Sequence, residues 1–263
     1  MAEIPQSHPR RASLMARQKM VEAASMGLLA ESAMIAHGRG EAYDYLLGEK
    51  TIESASLAIS EAAARLSKAK NPVISVNGNT VVLAGRDLIR LAAIIGCPIE
   101  VNIYYRTEER IRGLLSLLDE QREEVASGTP PDGWIGDWRG CVLSVPILGS
   151  DPDDTIDGLE GPRSLCCADG IGHADVILVP LEDGDRCEAL VSLGKQVLVI
   201  DLNPLSRTAR NATVTIVDEV SRAAEELVKS ALEAGSPTEW DNEWCLKDAL
   251  SVISDSGSLI YEK

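Results

Sequence analysis

The sequence has no phenylalanine and few other aromatic residues, with four Trp and five Tyr among 263 residues. Its core must therefore be built mainly from Leu, Ile, Val and Ala, which suits helices packed on parallel strands. No apolar run approaches the roughly 20 residues that a membrane-spanning helix needs, and the start MAEIPQSHPRR lacks the apolar segment of a signal peptide. We expect a cytoplasmic protein that makes no membrane contact.

Positive charge is also scarce, because 25 Lys and Arg residues oppose 41 Asp and Glu residues. The formal net charge of −16 argues against a nucleic-acid partner, since binding phosphates by counterion release needs a continuous basic face. Only eight of the basic residues are Lys. An acidic surface on which Arg outnumbers Lys is typical of a salt-tolerant cytoplasm, and general solubility explains the charge equally well.

Several common site motifs are missing. The six cysteines include no CxxC pair, so neither a zinc site nor a disulfide framework is indicated. Cys166 and Cys167 are adjacent, but neighbouring cysteines rarely bridge and no resolving motif accompanies them, which favours ordinary reduced thiols over a redox pair. The sequence has no GxxxxGK[ST] loop, GxGxxG turn, HExxH helix or GxSxG elbow, so standard phosphate-loop and dinucleotide sites are disfavoured.

Residues 1–70 have a helical pattern of apolar residues, and we expect them to form an N-terminal helical segment packed on the core. The pattern places Val21 on the buried face of the first helix. Gly38 and Gly40 then interrupt the pattern on either side of Arg39. A glycine-bracketed Arg predicts a turn built around a ligand.

From Pro72 onward, apolar runs of five or six residues alternate with helical patterns, which is typical of βαβ units. We therefore predict an α/β fold with a Rossmann-like, mostly parallel sheet in residues 71–263, forming one structural unit with residues 1–70. Thr51 and Asp218 are candidate N-caps of the helices that follow them. The predicted strands lie near 73–76, 99–103, 142–147, 175–180, 196–201 and 213–217, and the predicted helices near 80–95, 107–122, 185–193, 218–233 and 242–254.

Arginines stand beside the predicted turns and strand ends of this acidic chain. In a doubly wound sheet, ligands bind beyond the carboxyl ends of the strands, where helix N-termini also favour anions. A guanidinium grips phosphate or carboxylate with two parallel hydrogen bonds, although pairing with a surface carboxylate is the simpler interpretation of any single Arg. The arginines in these positions are Arg10, Arg39, Arg106, Arg186, Arg207 and Arg210.

The segment VLVIDLNPLSRTAR is the most informative stretch for a nucleotide. A buried strand ends in Asp201, whose carboxylate suits ribose hydroxyls, and Arg207 follows a Pro-containing turn. These features predict a loop that holds a nucleotide. The alternative is that Asp201 and Asn203 only cap the turn before the next helix.

Weaker candidates lie at other predicted strand ends. Asn77 and Asn79 follow the first strand and would orient a small polar substrate, although turn geometry alone also explains them. His37 flanks an Arg-rich turn, where a structural hydrogen-bonding role is the more common one. The acidic segment LEDGDR offers carboxylates for Mg²⁺, which takes only one or two protein ligands, and a turn with a helix cap explains that segment equally well.

Six strings stand out along the chain in this order: IPQSHPR, IAHGRGEAYDYLLGE, PVISVNGN, YYRTEER, VPLEDGDR and IDLNPLSRTAR. Together they resemble the archaeal 4-phosphopantoate:β-alanine ligases, or phosphopantothenate synthetases. The strings are long, uncommon and collinear, and the resemblance covers residues 4–110 and 173–222. The stretch between includes two segments dense in Gly, Pro and Asp, at 126–140 and 149–172, which we expect to be loops over the site or surface insertions.

The resemblance implies a ligase that uses ATP to condense 4-phosphopantoate with β-alanine, releasing AMP and diphosphate, in coenzyme A biosynthesis. It also implies a homodimer, Mg²⁺ and an acyl-adenylate intermediate that needs no protein nucleophile. By matching motif, the residues expected to contact ATP are Arg17, Arg39, Asp201, Leu202, Asn203, Arg207, Thr208, Glu219 and Val220. At Glu219 an amide is expected instead, so only its backbone contact carries over. On the 4-phosphopantoate side the candidates are Asn77, Asn79 and Arg106.

Two other functions stay open on the residues alone. A Rossmann-like NAD-dependent dehydrogenase would also place Asp201 on a ribose, although the missing glycine fingerprint counts against it. A non-enzymatic dimeric scaffold would use the N-terminal helices as an interaction face and would tolerate replacement of Arg39 and Arg207. Clustering of the arginines around one cleft would count against the scaffold. The sequence identifies neither a catalytic residue nor the Mg²⁺ ligands.

Overall fold

A computed structural model of the chain describes residues 4–181 and 183–256. Glu182 of the LEDGDR segment, and the outer ends of the predicted ranges 1–70 and 71–263, lie outside the described residues. The α-helices are α1 (Arg11–Ser25), α2 (Glu31–Leu46), α3 (Glu53–Lys68), α4 (Gly78–Ile95), α5 (Glu108–Ser127), α6 (Trp138–Leu143), α7 (Gly184–Ser192), α8 (Arg207–Asn211), α9 (Val220–Leu232) and α10 (Asn242–Asp255). The strands are β1 (Pro72–Val76), β2 (Ile99–Val101), β3 (Ile147–Leu148), β4 (Asp154–Thr155), β5 (Leu165–Cys166), β6 (Val176–Pro180), β7 (Gln196–Ile200) and β8 (Val214–Ile216).

Six of the strands form one parallel sheet in the order β3-β2-β1-β6-β7-β8. The chain winds outward from β1 to β3 in one direction and from β6 to β8 in the other, so the winding reverses between β1 and β6. This is the strand order of a doubly wound Rossmann-like sheet, in which ligands bind at the point of reversal. The predicted α/β class is confirmed.

Both faces of the sheet are buried. Along β7, Leu198 and Ile200 belong to the apolar core on one face, and Val197 and Val199 to the core on the other, because alternate side chains of a strand point to opposite faces. Residues of α1, α3, α4, α5 and α9 complete the larger core. The smaller core is completed by residues of α7 and of the irregular stretch 154–174, which contains β4 and β5 and is called the β4–β5 segment. Aliphatic side chains supply most of both cores, as the scarcity of aromatic residues requires. Within the described ranges, no helix combines the length and hydropathy needed to cross a membrane.

The predicted strand near 142–147 is wrong. Residues Trp138–Leu143 form the short helix α6, whose first turn is capped by the Asp137 side chain, and only Ile147–Leu148 pair with β2. Val142 is fully buried in the larger core. A short apolar run therefore signalled burial correctly, but such a run does not distinguish a buried strand from a buried helix. The other predicted strands of the sheet are confirmed.

The expected turn around Arg39 is also wrong, because α2 runs without a break through Gly38 and Gly40. Glycine inside a helix costs about 1 kcal/mol relative to alanine, which lowers helical propensity without forbidding a helix. A Cβ atom at Gly40 would lie 3.4 Å from Leu202 Cδ1. Gly40 therefore allows α2 to approach the segment that follows β7.

The predictions that Thr51 and Asp218 cap helices are wrong as well. Helix α3 has no side-chain cap, and Glu219 caps α9 by accepting the backbone N–H groups of Ser221 and Arg222. Thr51 Oγ1 instead donates a hydrogen bond to Asp218 Oδ2 at 2.6 Å. These two residues are 167 positions apart in the chain, and local sequence rules do not anticipate a hydrogen bond between such distant residues.

The N-terminal helices pack on the core to different extents. Met20 and Ala23 of α1 and Ala58 of α3 are buried in the larger core. Val21, which the apolar pattern places inside, is 57% exposed, because α1 turns its neighbour Met20 toward the core instead. The buried residue of α2 is Asp44, a charged one.

An ion-pair network accounts for the burial of Asp44. Arg222 of α9 donates to Asp44 through Nη1 at 3.2 Å and through Nη2, and donates to Asp218 through Nη2 at 2.6 Å. The side chains of Asp44 and Asp218 are only 5% and 0% exposed. Burial acts to lower the pKa of Arg222, but its contacts with both carboxylates raise the pKa above the ordinary value, so the guanidinium stays charged. The network joins α2 to the β8–α9 connection.

Replacing Asp218 by Asn should lower the free energy of unfolding by about 3 kcal/mol, near the lower end of the usual cost of removing one partner of a buried ion pair. The loss is at that end because Arg222 keeps Asp44 as a partner and is 29% exposed. Urea unfolding followed by circular dichroism measures the change. The matched control is Glu243→Gln, which breaks another i,i+4 pair whose side chains are 71% and 75% exposed and should leave stability unchanged. Equal effects of the two substitutions would contradict a structural role for the buried network.

Candidate functional site

A cavity of about 640 Å³ lies at the carboxyl edge of the sheet, where the winding reverses. The ends of β1, β2 and β6 form one side of it, and α1 and α2 form the opposite side. Its volume falls within the range of small-molecule sites, about 300–1,000 Å³. The lining residues lie within 9–19, 28–49, 75–87, 102–110, 179–181 and 219–225, with further contributions from residues 163, 183, 186 and 202.

The first turn of α4 lies at the centre of the sheet side. Asn77 caps this helix, because its side-chain oxygen accepts the Thr80 N–H at 3.2 Å and Thr80 Oγ1 accepts the Asn77 N–H at 2.7 Å. The Asn77 amide also donates to the Leu181 carbonyl at 2.9 Å, which links the end of β1 to the end of β6. Gly78 and Asn79 line the cavity at this turn, where backbone N–H groups favour an anion.

Arg186 of α7 places a buried guanidinium in the same crevice. It is 4% exposed, lines the cavity, and has Nη2 3.3 Å from Ser75 Oγ of β1. Glu100 of β2 is 1% exposed and accepts the backbone N–H groups of Cys167 and Ile171 at 3.1 and 2.8 Å. Burial raises the pKa of Glu100, while those two hydrogen bonds and the charge of Arg186 oppose the rise. Glu100 thereby anchors the β4–β5 segment to the sheet.

That segment carries Arg163, which reaches the cavity wall. Arg163 Nη1 donates to Asp183 and Asp185 at 3.0 and 3.1 Å, and its Cζ lies 5.7 Å from the centre of the Tyr104 ring. Arg207 donates to the same Asp185 carboxylate at 2.6 Å. The hydrogen bonds from Arg163 and Arg207 lower the pKa of Asp185, so the bridging carboxylate stays ionised at neutral pH.

The helical side of the cavity is held together by acid–base pairs. Arg10 lines the cavity, with Nε 3.2 Å from Glu49 and Nη2 3.6 Å from Glu41. Arg17 lies outside the cavity wall and pairs with Glu41 at 2.7 Å, which joins α1 to α2. His37 of α2 also lines the cavity, and its Nε2 atom is shielded from solvent without a hydrogen-bond partner in the part of the chain that the structure describes.

The loop after β7 and the first residues of α8 carry five of the nine residues predicted to contact a nucleotide. Asp201 accepts the Asn203 N–H at 2.9 Å and the Ser206 hydroxyl, so the turn-capping contacts of the alternative interpretation are present. Burial raises the pKa of Asp201, opposed by its hydrogen bonds with Ser206 and Asn203 and by the charge of Arg39. Arg207 begins α8 beside this loop and is 56% exposed.

The structure divides the predicted site residues into two groups and leaves one apart. Those that line the cavity are Asn77, Asn79, Leu202, Glu219 and Val220. Those outside its wall are Arg17, Arg39, Asp201, Asn203, Arg207 and Thr208, of which all but Arg17 lie near the β7–α8 loop or act on it. Arg106 stands apart, because its Nη2 donates to the Gly149 and Ser150 carbonyls at 2.7 and 3.2 Å and so holds the segment that follows β3.

Sequence reasoning missed Arg163 and Glu100. Glu100 carries a readable signal, since a lone acid inside an apolar strand that is buried on both faces must have partners. Arg163 lies in a Gly/Pro/Asp-rich stretch without periodicity, so its place in the cavity depends on how that stretch folds back. No local pattern could have identified it.

Comparison with known proteins gives a consistent result. The family model described as phosphopantothenate/pantothenate synthetase matches residues 54–141 and 142–255. The chain is similar to a protein of Thermococcus kodakarensis named 4-phosphopantoate–beta-alanine ligase, at 44% identity over 100% of this chain and 97% of the relative. A protein of the same name from Methanosarcina mazei is 43% identical over 97% of this chain and 96% of its own length. A third, from Methanospirillum hungatei, is 42% identical over 96% and 97%.

The cysteines do not form a second site. All six are free thiols, and five are buried while Cys141 is partly buried. Burial raises the pKa of Cys97 and Cys166 to about 12 and that of Cys167 to about 11, so the thiolate that would react is scarce at neutral pH. Within the described ranges, no group of three or more His, Cys, Asp or Glu side chains is placed to hold a metal ion.

Brief treatment of the folded protein with iodoacetamide at neutral pH should modify at most Cys141. All five buried thiols are poorly accessible, and Cys97, Cys166, Cys167 and Cys245 also have raised pKa values. Both properties slow alkylation. Intact mass spectrometry counts the added groups, and the same treatment in urea should modify all six cysteines. Rapid modification of Cys166 or Cys167 in the folded protein would favour the alternative interpretation of these two cysteines as a redox pair.

Proposed function

This chain belongs to the phosphopantothenate/pantothenate synthetase family, and we propose that it is a ligase that joins 4-phosphopantoate to β-alanine in coenzyme A biosynthesis. The observation that carries this assignment is the similarity of the whole chain, at 42–44% identity, to relatives that all bear that ligase name. We further propose that ATP drives the reaction, is converted to AMP and diphosphate, and activates 4-phosphopantoate as an acyl-adenylate. A carboxylate is a poor acyl donor until its oxygen is attached to a better leaving group.

The chemistry needs several anions to be held together, and the cavity suits that task. Its wall includes the guanidinium groups of Arg10, Arg163, Arg186 and Arg222 and the first turn of α4. Fixed positive groups in a site that excludes water stabilise the charge that develops during acyl and phosphoryl transfer. Holding the carboxylate of one substrate against the α-phosphate of the other also removes the entropy cost of their encounter. No nucleophile from the protein is required.

We propose that the nucleotide lies between α2 and the loop after β7. Asp201 accepts two hydrogen bonds, whereas a carboxylate offers about four lone-pair positions, so the turn-capping contacts leave room for ribose hydroxyls. Leu202, Glu219 and Val220 lie where this loop meets the cavity. The carboxylate of Glu219 is engaged by the N–H groups of its own helix, which supports a contact through its backbone. Arg17, Arg39, Asn203, Arg207 and Thr208 complete the proposed ATP site.

We propose that 4-phosphopantoate binds at the opposite side of the cavity, by Asn77, Asn79 and the first turn of α4. The proposed role of Arg106 is to hold the segment after β3 in place beside this region, since its guanidinium donates hydrogen bonds to the carbonyls of Gly149 and Ser150. Mg²⁺ would enter with the triphosphate, because it keeps several waters and takes only one or two protein carboxylates. Asp183 lines the cavity and is a suitable donor for it. The ion would offset the phosphate charge during adenylation.

The remaining proposals concern the setting of the enzyme. We propose that the N-terminal helices and the Rossmann-like core act as one unit, because the cavity lies between them. A cytoplasmic homodimer fits the family, and the free thiols fit a reducing compartment.

A dehydrogenase is disfavoured because the β1–α4 turn reads Asn77-Gly78-Asn79 in place of a glycine fingerprint. A scaffold is disfavoured by the whole-chain match to ligases.

Purified protein given ATP, Mg²⁺, 4-phosphopantoate and β-alanine should form 4′-phosphopantothenate, AMP and diphosphate. Mass spectrometry follows all three, and each component is omitted in turn. Product that depends on every component is the expected outcome. AMP without phosphopantothenate would instead indicate an adenylating enzyme with another amine acceptor, and a folded protein that leaves ATP unchanged would remove the ligase assignment.

Replacing Arg39 by Ala should raise the KM for ATP about 10- to 100-fold, the range expected for losing a hydrogen bond to a charged group. The KM for β-alanine should change little, because Arg39 is proposed to act only on the nucleotide. Steady-state kinetics with each substrate varied separately measures both values. The control is Arg86→Ala, which removes a surface pair with Glu124 whose side chains are 48% and 55% exposed. An unchanged KM for ATP in the Arg39 variant would exclude this residue from the ATP site.

A further inference from the structure

The proposed reaction leaves one proton transfer without a group to perform it. The amine of β-alanine resembles that of a lysine side chain and is almost fully protonated at neutral pH, with a pKa of about 10. An ammonium ion has no lone pair, so it must lose a proton before its nitrogen attacks the acyl carbon. A side-chain base within hydrogen-bond reach of that nitrogen would accelerate the step, typically by about 10²–10⁴-fold.

The carboxylates of the cavity wall are poor candidates, because each one already has a partner. Each carboxylate is held in place by that partner, which competes with an approaching amine for its oxygens. Arginine, lysine and tyrosine side chains are proton donors at neutral pH. The pairs are Glu41 and Glu49 with Arg10, Asp44 with Arg222, and Asp183 with Arg163, while Glu219 caps α9, and Asp87 and Glu225 pair with cations of their own helices.

His37 differs from the arginine and lysine side chains because an imidazole nitrogen can accept a proton, and it differs from the carboxylates in its contacts. It lines the cavity, and its Nε2 atom has no hydrogen-bond partner among residues 4–181 and 183–256 although it is shielded from solvent. Buried polar side-chain atoms normally have a partner, and an exception in a cavity points to a functional role. A structural hydrogen-bonding role, the more common one for a single histidine, is therefore not seen at Nε2.

The shape of α2 leaves space around this imidazole. Residues three or four positions apart lie on one face of a helix, and those next to His37 that line the cavity are Ala33, Gly40 and Glu41. The side chains of Ala33 and Gly40 are no larger than a methyl group, and the Glu41 carboxylate is paired with Arg10 and Arg17. A three-carbon amino acid such as β-alanine would find room beside Ala33 and Gly40, next to the imidazole.

We propose that His37 is the general base that deprotonates β-alanine, an inference that rests on the ligase activity and the acyl-adenylate proposed above. Nε2 accepts a proton from the ammonium group, and the freed lone pair attacks the acyl carbon. The C–N bond forms, the C–O bond to the phosphate breaks, and AMP leaves with the electron pair. The second proton on nitrogen is lost to water, and the imidazolium then releases its own proton to water.

The test compares two amines and two partial reactions in His37→Gln. Adenylation alone, measured as exchange of labelled diphosphate into ATP with 4-phosphopantoate present, should stay within about threefold of wild type because it involves no amine. Phosphopantothenate formation from β-alanine should fall about 100-fold or more. Hydroxylamine is unprotonated at neutral pH and needs no base, so hydroxamate formation by the variant should remain close to wild type. His173→Gln changes an exposed histidine at the other end of the sheet and should behave as wild type throughout.

An equal loss with both amines would overturn the proposal, because a positioning defect does not distinguish them. Unchanged β-alanine kinetics in the variant would overturn it as well. His37→Asn is measured in parallel, so that a folding defect of one variant, seen as a lowered Tm, does not decide the result. Absence of diphosphate exchange in the wild-type protein is a separate outcome, since it would refute the acyl-adenylate rather than the role of His37.

Discussion

The contact between Arg222 and the two buried carboxylates of Asp44 and Asp218 is the constraint on which the cavity depends. Helix α2 has little apolar surface against the core, and its buried residue is the charged Asp44. Without Arg222, two carboxylates would be buried close together without a countercharge, which costs several kcal/mol. With it, α2 is fixed opposite the ends of β1 and β6 and closes one side of the site. Residues of the N-terminal helices therefore form part of the cavity wall.

Ion pairs between one arginine and two carboxylates also occur at other points around the cavity. Arg10 binds Glu41 and Glu49, and Arg163 binds Asp183 and Asp185. In a chain with a net charge of −16, these pairs hold the guanidinium groups in place before any substrate enters. A phosphate group that binds one of these guanidinium groups must either displace its carboxylate partner or share the guanidinium with it. An arrangement held ready in this way costs little reorganisation when charge develops, which is the basis of electrostatic catalysis.

Sequence patterns were reliable where one physical requirement dominated. Alternating apolar runs and helical periods located the buried strands and their crossover helices, because a doubly wound sheet needs apolar residues on both faces. They failed where two structures satisfy the same requirement. The apolar run near Val142 is buried as a helix, and Arg39 lies in an unbroken helix despite its flanking glycines. Thr51 and Asp218 have cap-forming side chains that bind each other instead.

The sequence by itself determined the α/β class, the order of most elements and, through six collinear strings, the family. It also predicted correctly that Asn77 and Asp201 lie at the carboxyl ends of strands, because strand ends are local properties. Only the tertiary structure decided which residues share a cavity: it brought Arg163 in from an irregular segment, set Arg106 against backbone carbonyls, and left His37 Nε2 without a hydrogen-bond partner among the described residues. Those outcomes depend on distances between residues far apart in the chain, which no local pattern encodes.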